Sequence, residues 1–290
     1  MSDSSPTRPA PRERAFAQVD VFTAEPYRGN PVAVVLDGDG LDEAAMRRFA
    51  AWTNLSETTF VLPPTEPGAD YRLRIFTPGE ELPFAGHPTL GSAHAWLASG
   101  AGPSAAAGGD VVQECAAGLI RVRRDAGRLA FAAPPTLRSG PVDPSTLERV
   151  IAGLRIDAGE VVAARWVDNG PGWLGVLLRD AATVRGLRPD GAALADLKIG
   201  VAGLEPEGTP TRVEVRAFAL GAGIAEDPVT GSLNASLAQW LIADGVLPRS
   251  YVAAQGTVLG RAGRVHVTAD GDDVWVGGDA VTCIRGTVIL

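Results

Sequence analysis

Two stretches of the chain share one order of apolar and polar positions. Each begins with strand-like residues, passes through a loop that contains glycine or proline, and ends in a segment that is apolar on nearly every side. They read FAGHPTLGSAHAWLASG over 84–100 and EDPVTGSLNASLAQWLIADG over 226–245. A helical segment with apolar residues on every face is typical of a buried helix. The pattern therefore predicts buried helices over 88–98 and 229–243.

The two stretches also match residue by residue. With His87 placed opposite Asp227, a Pro-x-x-Gly-Ser frame repeats without a gap. Strand patterns precede the frame in both copies, and two runs around a turn, at 116–131 and 261–276, predict a pair of strands after each copy. A unit of this length that occurs twice predicts two similar domains that face each other.

The composition of the connecting segments suggests where the domains begin and end. Residues 133–147 are rich in proline and serine, which is typical of a linker, so we expect an N-terminal α/β domain over 15–135 and a C-terminal α/β domain over 136–290. The active site is expected in the cleft between them. Residues 1–14 have no apolar core for a signal peptide and are expected to form a disordered tail. Residues 101–110 are expected to be a loop.

Charge and composition exclude several classes of function. The net charge is −8, with Lys+Arg 26 against Asp+Glu 34 and no basic block, so nucleic-acid binding is not expected. No apolar run reaches the roughly 18–20 residues that span a bilayer. Three histidines and two cysteines without clustered spacing argue against a metal site, and Cys115 and Cys283 are expected to be reduced, buried thiols. These features predict a cytoplasmic protein without nucleic-acid or membrane partners.

The repeated loops have the features of a site for a small anion. In the second copy Thr230, Gly231 and Ser232 stand at the start of the helix. Free N–H groups at a helix N-terminus favour an anion, and glycine permits close approach, so a carboxylate would fit. Ordinary helix capping would explain the same residues. The pairing of His87 with Asp227 favours a functional site, because histidine is an uncommon cap.

A third titratable group lies at the entrance to an apolar strand. Glu57 precedes the run TTFVL, and a carboxylate beside an apolar strand tends to have a raised pKa and to exchange protons near neutral pH. An exposed glutamate at a strand start is an equally good interpretation. The two remaining histidines are expected elsewhere, His94 packed inside the first helix and His266 facing solvent on a strand.

Four motifs together resemble the PhzF-like family of phenazine biosynthesis. They are VDVFTAEPYRGNPVAVVL, NLSETTFVL, FTPGEELPFAGHPTLGSAHAW and EDPVTGSLNASLAQWL, in the order of the family, and the likeness runs from about residue 16 to the C-terminus. The resemblance implies a diaminopimelate-epimerase-like α+β fold. In such a fold two pseudo-symmetric domains each wrap a curved, mostly antiparallel sheet around a central helix. It also implies a homodimer that uses no cofactor and no metal.

The resemblance further implies an isomerase that moves a proton within a small carboxylate-bearing substrate, as trans-2,3-dihydro-3-hydroxyanthranilate isomerase does. Glu57 would be the acid and base, and His87 and Asp227 would hold polar groups of the substrate and assist the proton movements. The residues expected to bind the substrate through N–H and hydroxyl donors are Ser56, Gly86, Thr230, Gly231 and Ser232.

Two other functions remain open from the sequence. Epimerases of this fold carry one cysteine at each helix-entry loop, whereas Cys115 and Cys283 lie elsewhere. An epimerase of this sequence would therefore have to work without thiols. A catalytically silent metabolite-binding or scaffold protein of the same fold is the other alternative.

Overall fold

The computed structural model describes residues 11–102, 109–125, 127–219 and 224–290. The first run of strands is β1 (Glu13–Val21), β2 (Asn30–Val35), β3 (Thr58–Leu62), β4 (Tyr71–Phe76), β5 (Glu81–Leu82), β6 (Val111–Cys115), β7 (Gly118–Asp125) and β8 (Arg128–Ala132). The second run is β9 (Arg138–Pro141), β10 (Val161–Asp168), β11 (Trp173–Leu178), β12 (Lys198–Leu204), β13 (Val213–Ala219), β14 (Ile224–Asp227), β15 (Ser250–Gln255), β16 (Gly263–Asp270), β17 (Asp273–Gly278) and β18 (Ala280–Ile289). The helices are α1 (Glu43–Thr53), α2 (Gly86–Ala98), α3 (Pro144–Leu154), α4 (Ala181–Gly186) and α5 (Gly231–Ala243).

The strand pairing repeats itself between the two runs. In the first run β1–β2 is antiparallel, β2–β3 parallel, β3–β4 antiparallel, β4–β6 parallel, and β6–β7 and β7–β8 antiparallel. The ladder from β10 through β11, β12, β13, β15 and β16 to β17 has the same order of directions. β8 pairs with β17 and joins the two halves into one sheet. The duplication in sequence is thus a duplication of topology.

The outermost strand of each half comes from the other part of the chain. β9 follows the first repeat but pairs with β10 of the second. β18 follows the second repeat but pairs with β1, from Glu13 opposite Ile289 to Val21 opposite Ala280. The proline-rich stretch expected to be a linker contains β9 and the start of α3, so it is structured along part of its length. The exchange of edge strands ties the halves together, and the division at residue 135 stays a prediction.

The two central helices are buried, as the apolar pattern predicts. The helix predicted over 88–98 begins at Gly86 and the one predicted over 229–243 begins at Gly231. α2 packs on β2 so closely that a Cβ added to Gly91 would lie 2.4 Å from Val32 Cγ1. Small residues let a helix approach the inner face of a sheet, and this approach explains Gly91. The matching glycine of the second copy, Gly231, instead begins α5 beside the ring of Phe131.

Each half of the sheet is covered on its outer face as well. Val34 of β2 faces the core around α2, whereas its neighbour Val35 packs with Met46 and Ala50 of α1. In the second half α3 and α4 cover β11 in the same way. Burial on both faces explains why these strands are apolar runs rather than alternating ones.

The predicted tail ends earlier than residue 14. Residues 1–10 lie outside the described part of the chain, but Glu13 and Arg14 already belong to β1. The Arg14 guanidinium is buried and donates hydrogen bonds to the carbonyls of Asp37 (2.6 Å) and Asp39 (2.8 Å). These bonds hold the start of β1 against the loop that follows β2.

Of the predicted loop 101–110, residues 103–108 are outside the described ranges. Among the described helices, none is long and apolar enough to cross a membrane.

Candidate active site

The starts of the two central helices meet at the junction of the halves. A Cβ added to Gly86 would lie 3.5 Å from Gly231 Cα and 2.6 Å from the ring of Phe131. The same ring lies 3.2 Å from a Cβ added to Gly231. Only glycine at position 86 lets both helix N-termini approach one another around this aromatic ring. The structure therefore brings together the two loops that the sequence repeat singles out.

Glu57 and His87 lie beside each other at this junction. β3 runs parallel to β2, which places Glu57, just before β3, over the first turn of α2. Glu57 Oε2 is 3.2 Å from His87 Nε2, and the side chains are 13% and 7% exposed. The geometry falls short of a hydrogen bond, so both atoms are without a partner among the described residues. Oε2 is itself buried, so the exposed fraction of Glu57 belongs to the rest of its side chain.

Burial sets the charge states of this pair. It raises the pKa of Glu57 to about 7, and the nearby Ser56 hydroxyl opposes the rise only in part. Burial also lowers the pKa of His87 to about 4, against the opposing effects of Asp227, the Pro31 carbonyl and Asp20. At neutral pH the imidazole is thus uncharged, and it faces a carboxyl group that is close to half ionised.

Asp227 is held from both sides. Its Oδ1 accepts a hydrogen bond from Asn30 Nδ2 at 2.9 Å, and its Oδ2 accepts one from the Thr230 hydroxyl. Burial raises the pKa of Asp227 to about 6. The two donors and His87 oppose that rise, whereas the charge of Glu57 adds to it. The two carboxyl groups therefore differ in environment: both oxygens of Asp227 accept hydrogen bonds, whereas Oε2 of Glu57 is without a hydrogen-bond partner among the described residues.

Polar atoms without partners concentrate at this point. Among the described residues, Ser56 Oγ joins Glu57 Oε2 and His87 Nε2 as a buried side-chain atom with no hydrogen-bond partner. A buried polar atom left unpaired costs about 1–3 kcal/mol. Three such atoms next to two helix N-termini are the arrangement expected of a site that completes its hydrogen bonds with a ligand.

Two of the predicted binding residues already have protein partners. The Thr230 N–H donates to Gln255 Oε1 at 3.0 Å, and the Thr230 hydroxyl lies between Asp227 and Gln255 Nε2. Ser232 Oγ accepts a hydrogen bond from Trp173 Nε1 at 3.1 Å, which leaves the hydroxyl proton of Ser232 free to donate. Thr230 orients Asp227, and direct contact of either residue with a substrate stays a prediction.

Sequence reasoning missed two buried amides that organise the site. Asn30, at the start of β2, reaches Asp227 across 197 positions of the chain. Gln255, the last residue of β15, binds the Thr230 loop and Asn234 of α5. The segment YRGNPVAVV gives a signal for Asn30, since a polar residue directly precedes an apolar strand. For Gln255 the sequence gives none.

The other candidate residues lie outside the site. His94 is half-buried rather than packed in the core, with Nε2 3.0 Å from Thr282 Oγ1. His266 lies on the same face of β16 as the exposed Arg264 and Thr268, and it is half-buried there. Cys115 is buried, but Cys283 is half-buried because β18 is an edge strand. Among the described residues, no group of His, Cys, Asp or Glu could hold a metal ion.

Known proteins share this sequence and fold. The family model for phenazine biosynthesis-like proteins (PhzC-PhzF) matches residues 19–286. Antisense-enhancing sequence 1 of Schizosaccharomyces pombe is 37% identical over 94% of this chain and 98% of its own length. Trans-2,3-dihydro-3-hydroxyanthranilate isomerase of Pseudomonas aeruginosa is 34% identical over 88% of this chain and 90% of its own length.

The structural comparison agrees with the sequence. The crystal structure of a PhzF-family protein from Enterococcus faecalis superposes with a TM-score of 0.79 at 27% identity, covering 96% of this chain and 100% of that one. The expected α+β fold, with two pseudo-symmetric halves around central helices, is confirmed. The Glu57–His87 pair between these halves, the family match over nearly the whole chain and the related isomerases lead to one conclusion: the chain is an isomerase of the phenazine biosynthesis-like (PhzC-PhzF) family.

Proposed function

We propose that the protein is a cofactor-independent isomerase that moves a proton within a small carboxylate-bearing molecule by general acid–base catalysis. The observation that carries the proposal is the Glu57–His87 pair, with 3.2 Å between Oε2 and Nε2. A carboxyl group whose pKa is about 7 is present in both forms at neutral pH. It can therefore take a proton and return it without a second reagent.

The reaction follows from that single shuttling group. Glu57, as carboxylate, removes a proton from a carbon of the substrate, and the substrate's electrons shift along its conjugated system. Glu57, now the acid, delivers the proton to another carbon on the same face, so the atoms balance and the enzyme is regenerated. A positioned acid–base group of this kind contributes typically about 10²–10⁴-fold to the rate. His87 Nε2 lies beside the shuttling oxygen and stabilises its protonated form.

The carboxylate of the substrate is expected at the helix starts. The N–H groups at Gly86 and Gly231 lie at two adjacent helix N-termini, where the helix dipoles favour an anion. The hydroxyls of Ser56 and Ser232 can donate to neighbouring oxygens of the substrate. Asp227 and His87 would then hold the remaining polar groups, and an amino group beside the carboxylate would suit the negative charge of Asp227.

The proposal extends to the assembly and its setting. We propose a homodimer that acts on a small molecule in the cytoplasm, without nucleic-acid or membrane partners. Exposed apolar side chains support a dimer: Trp52 is 80% exposed, and Ile284 and Ile289 are exposed on the edge strand β18. Sedimentation equilibrium of the full chain tests this, since a monomer at tens of micromolar would refute it.

The function is tested by proton NMR in deuterated buffer with trans-2,3-dihydro-3-hydroxyanthranilate. We expect the wild-type protein and the control Glu148→Gln to consume the compound and place deuterium in its ring. Glu148 is an exposed glutamate on α3. Glu57→Gln should be slower by at least about 100-fold, the low end of general acid–base contributions. Equal rates for Glu57→Gln and Glu148→Gln would refute the role of Glu57.

A second arm covers a different physiological substrate. If the wild-type protein leaves the compound unchanged, a panel of small amino and hydroxy carboxylates is screened for exchange of carbon-bound protons in deuterated water. Exchange that depends on Glu57 supports the proposed reaction on another substrate. Exchange at an α-carbon with inversion indicates the non-thiol epimerase instead. Binding without any exchange would overturn the proposal in favour of a metabolite-binding protein.

A further inference from the structure

Asn30 connects the two halves at the candidate site. It is the first residue of β2 in the first half and is 1% exposed. Its amide nitrogen lies 2.9 Å from Asp227 Oδ1 and 2.9 Å from the Val229 carbonyl, both in the second half. The preceding loop is fixed as well, because the Gly29 N–H donates to Asp20 Oδ2 at 2.9 Å. Asn30 is therefore placed by its backbone rather than by Asp227.

The two protons of the Asn30 amide have two acceptors. A primary amide nitrogen carries two N–H donors, and the carboxylate of Asp227 and the carbonyl of Val229 each accept one at near-ideal distance. The third neighbour of the same nitrogen, His87 Nδ1, is 3.5 Å away. That contact is too long to compete. The amide thus stands between the carboxylate of Asp227 and the imidazole of His87.

The two nitrogens of the His87 imidazole have different neighbours. The Pro31 backbone opposes the fall of the His87 pKa, and Nε2 is without a hydrogen-bond partner among the described residues. Nδ1 of the ring lies on the side of Asn30, and Nε2 lies on the side of Glu57. Asn30 at the start of β2 thus binds Asp227 and lies beside the imidazole of His87.

A carboxylate next to a histidine normally pairs with it. In such a pair the carboxylate favours the imidazolium, which could no longer accept a proton at Nε2. Here Asp227 obtains its donors from neutral groups, Asn30 on Oδ1 and Thr230 on Oδ2. The charged or titratable groups that face this arrangement are His87, Glu57 and Asp20. None of these donates a hydrogen bond to Asp227 in the described part of the chain.

Resting on the function proposed above, we propose that Asn30 is a positioning residue whose amide holds Asp227 as a carboxylate and keeps it apart from the imidazole of His87. In this way Asp227 provides a fixed negative charge for the substrate while His87 stays neutral beside Glu57. Because Asn30 belongs to the first half and Asp227 to the second, this hydrogen bond forms only when the two halves are packed together. The ionisation of Asp227 therefore depends on that packing.

The test measures the titration of Asp227 directly in the full chain. Protein labelled with ¹³C at the aspartate carboxyl carbons is titrated by NMR, and Asp227→Asn identifies the resonance. Asn30→Asp keeps the size of the side chain but replaces the donor by a second carboxyl group, and Asn30→Leu removes the polar group. Asn234→Ala is the matched control, because Asn234 is also a buried amide, in the first turn of α5, but donates to the Thr230 carbonyl and to Gln255.

We expect the Asp227 midpoint to rise by about 1–2 pH units in both Asn30 variants, the size set by one lost hydrogen bond to a charged group. The midpoint should not move in Asn234→Ala. Unchanged midpoints in Asn30→Asp and Asn30→Leu would overturn the proposal, as would an equal shift in Asn234→Ala, since that would mean a general loosening of the loop.

This measurement needs no substrate, so its outcome is separate from that of the isomerase assay. If Glu57→Gln is fully active but the Asp227 midpoint depends on Asn30, the proposed function fails and the positioning role stands. If Glu57 is essential but the Asp227 midpoint is unchanged in the Asn30 variants, the proposed function stands and the positioning role fails. If both the proposed function and the positioning role are correct, the acidic limb of the pH profile of kcat/KM should shift to higher pH in Asn30→Leu. It should stay at the wild-type pH in Asn234→Ala.

Discussion

Replacing Glu57 by Gln is expected to stabilise the protein while it removes activity. Burial raises the pKa of Glu57 from 4.5 to about 7, so the folded protein resists ionisation of this group in a way that the unfolded chain does not. Stability linked to the protonated carboxyl is fully present below pH 4.5 and is lost as the pH rises through 7. Glutamine mimics the protonated form at every pH.

The magnitude follows from the two pKa values. A difference of one pKa unit corresponds to about 1.4 kcal/mol, so the ionised Glu57 costs the folded state about 1 kcal/mol at pH 5 and about 3 kcal/mol at pH 8. The gain in unfolding free energy of Glu57→Gln over the wild type should therefore grow by about 2 kcal/mol between these pH values. Any pH-independent effect of the amide on packing cancels in this comparison.

Urea unfolding of the wild type, Glu57→Gln and the exposed control Glu148→Gln at pH 5 and pH 8 provides the assay. We expect the control to follow the wild type at both pH values. A stability difference for Glu57→Gln that is the same at pH 5 and pH 8 would refute the reasoning, because it would mean that Glu57 titrates alike in the folded and unfolded chains. A group that costs stability in its ionised form is typical of a functional site.

Three further outcomes are expected. Gly86→Ala should lower activity and should lower stability by about 1–3 kcal/mol, since the added Cβ would lie 2.6 Å from an aromatic ring. Gly159→Ala should change neither, because its added Cβ meets no atom within 4 Å. Equal unfolding midpoints for the two variants would contradict this expectation. Gln255→Leu should cost about 3 kcal/mol by thermal unfolding because the Thr230 N–H loses its buried acceptor; a loss below 1 kcal/mol would mean that the loop finds other partners. If Glu57 must be ionised to take a proton, kcat/KM should rise about tenfold per pH unit below pH 7 and level off above it; a flat profile from pH 5 to 8 would exclude that requirement.

Local pattern was sufficient for the elements of the fold and for half of the site. The apolar segments predicted α2 and α5 to within a few residues, and the repeat predicted the two matching halves. His87 and Asp227 emerged as a pair because the sequence alignment placed them opposite each other, although His87 is the second residue of α2 and Asp227 ends β14, before α5 begins. Glu57 emerged as a candidate at a strand entrance, but its burial was undecided, since a strand start is as often exposed as covered.

Tertiary structure decided the features that depend on distant parts of the chain. β18 pairs with β1 at the opposite end of the sequence, and no local pattern records which edge a strand will join. Asn30 reaches Asp227 only because the halves close on each other, and Gln255 supports the loop only once β15 lies beneath it. The pKa values of Glu57 and His87 are likewise products of burial. The sequence by itself determined which residues could do the chemistry, because residue type and short-range spacing are local. The desolvation and the hydrogen bonds that tune those residues came from folding, because they require the two halves to exclude water together.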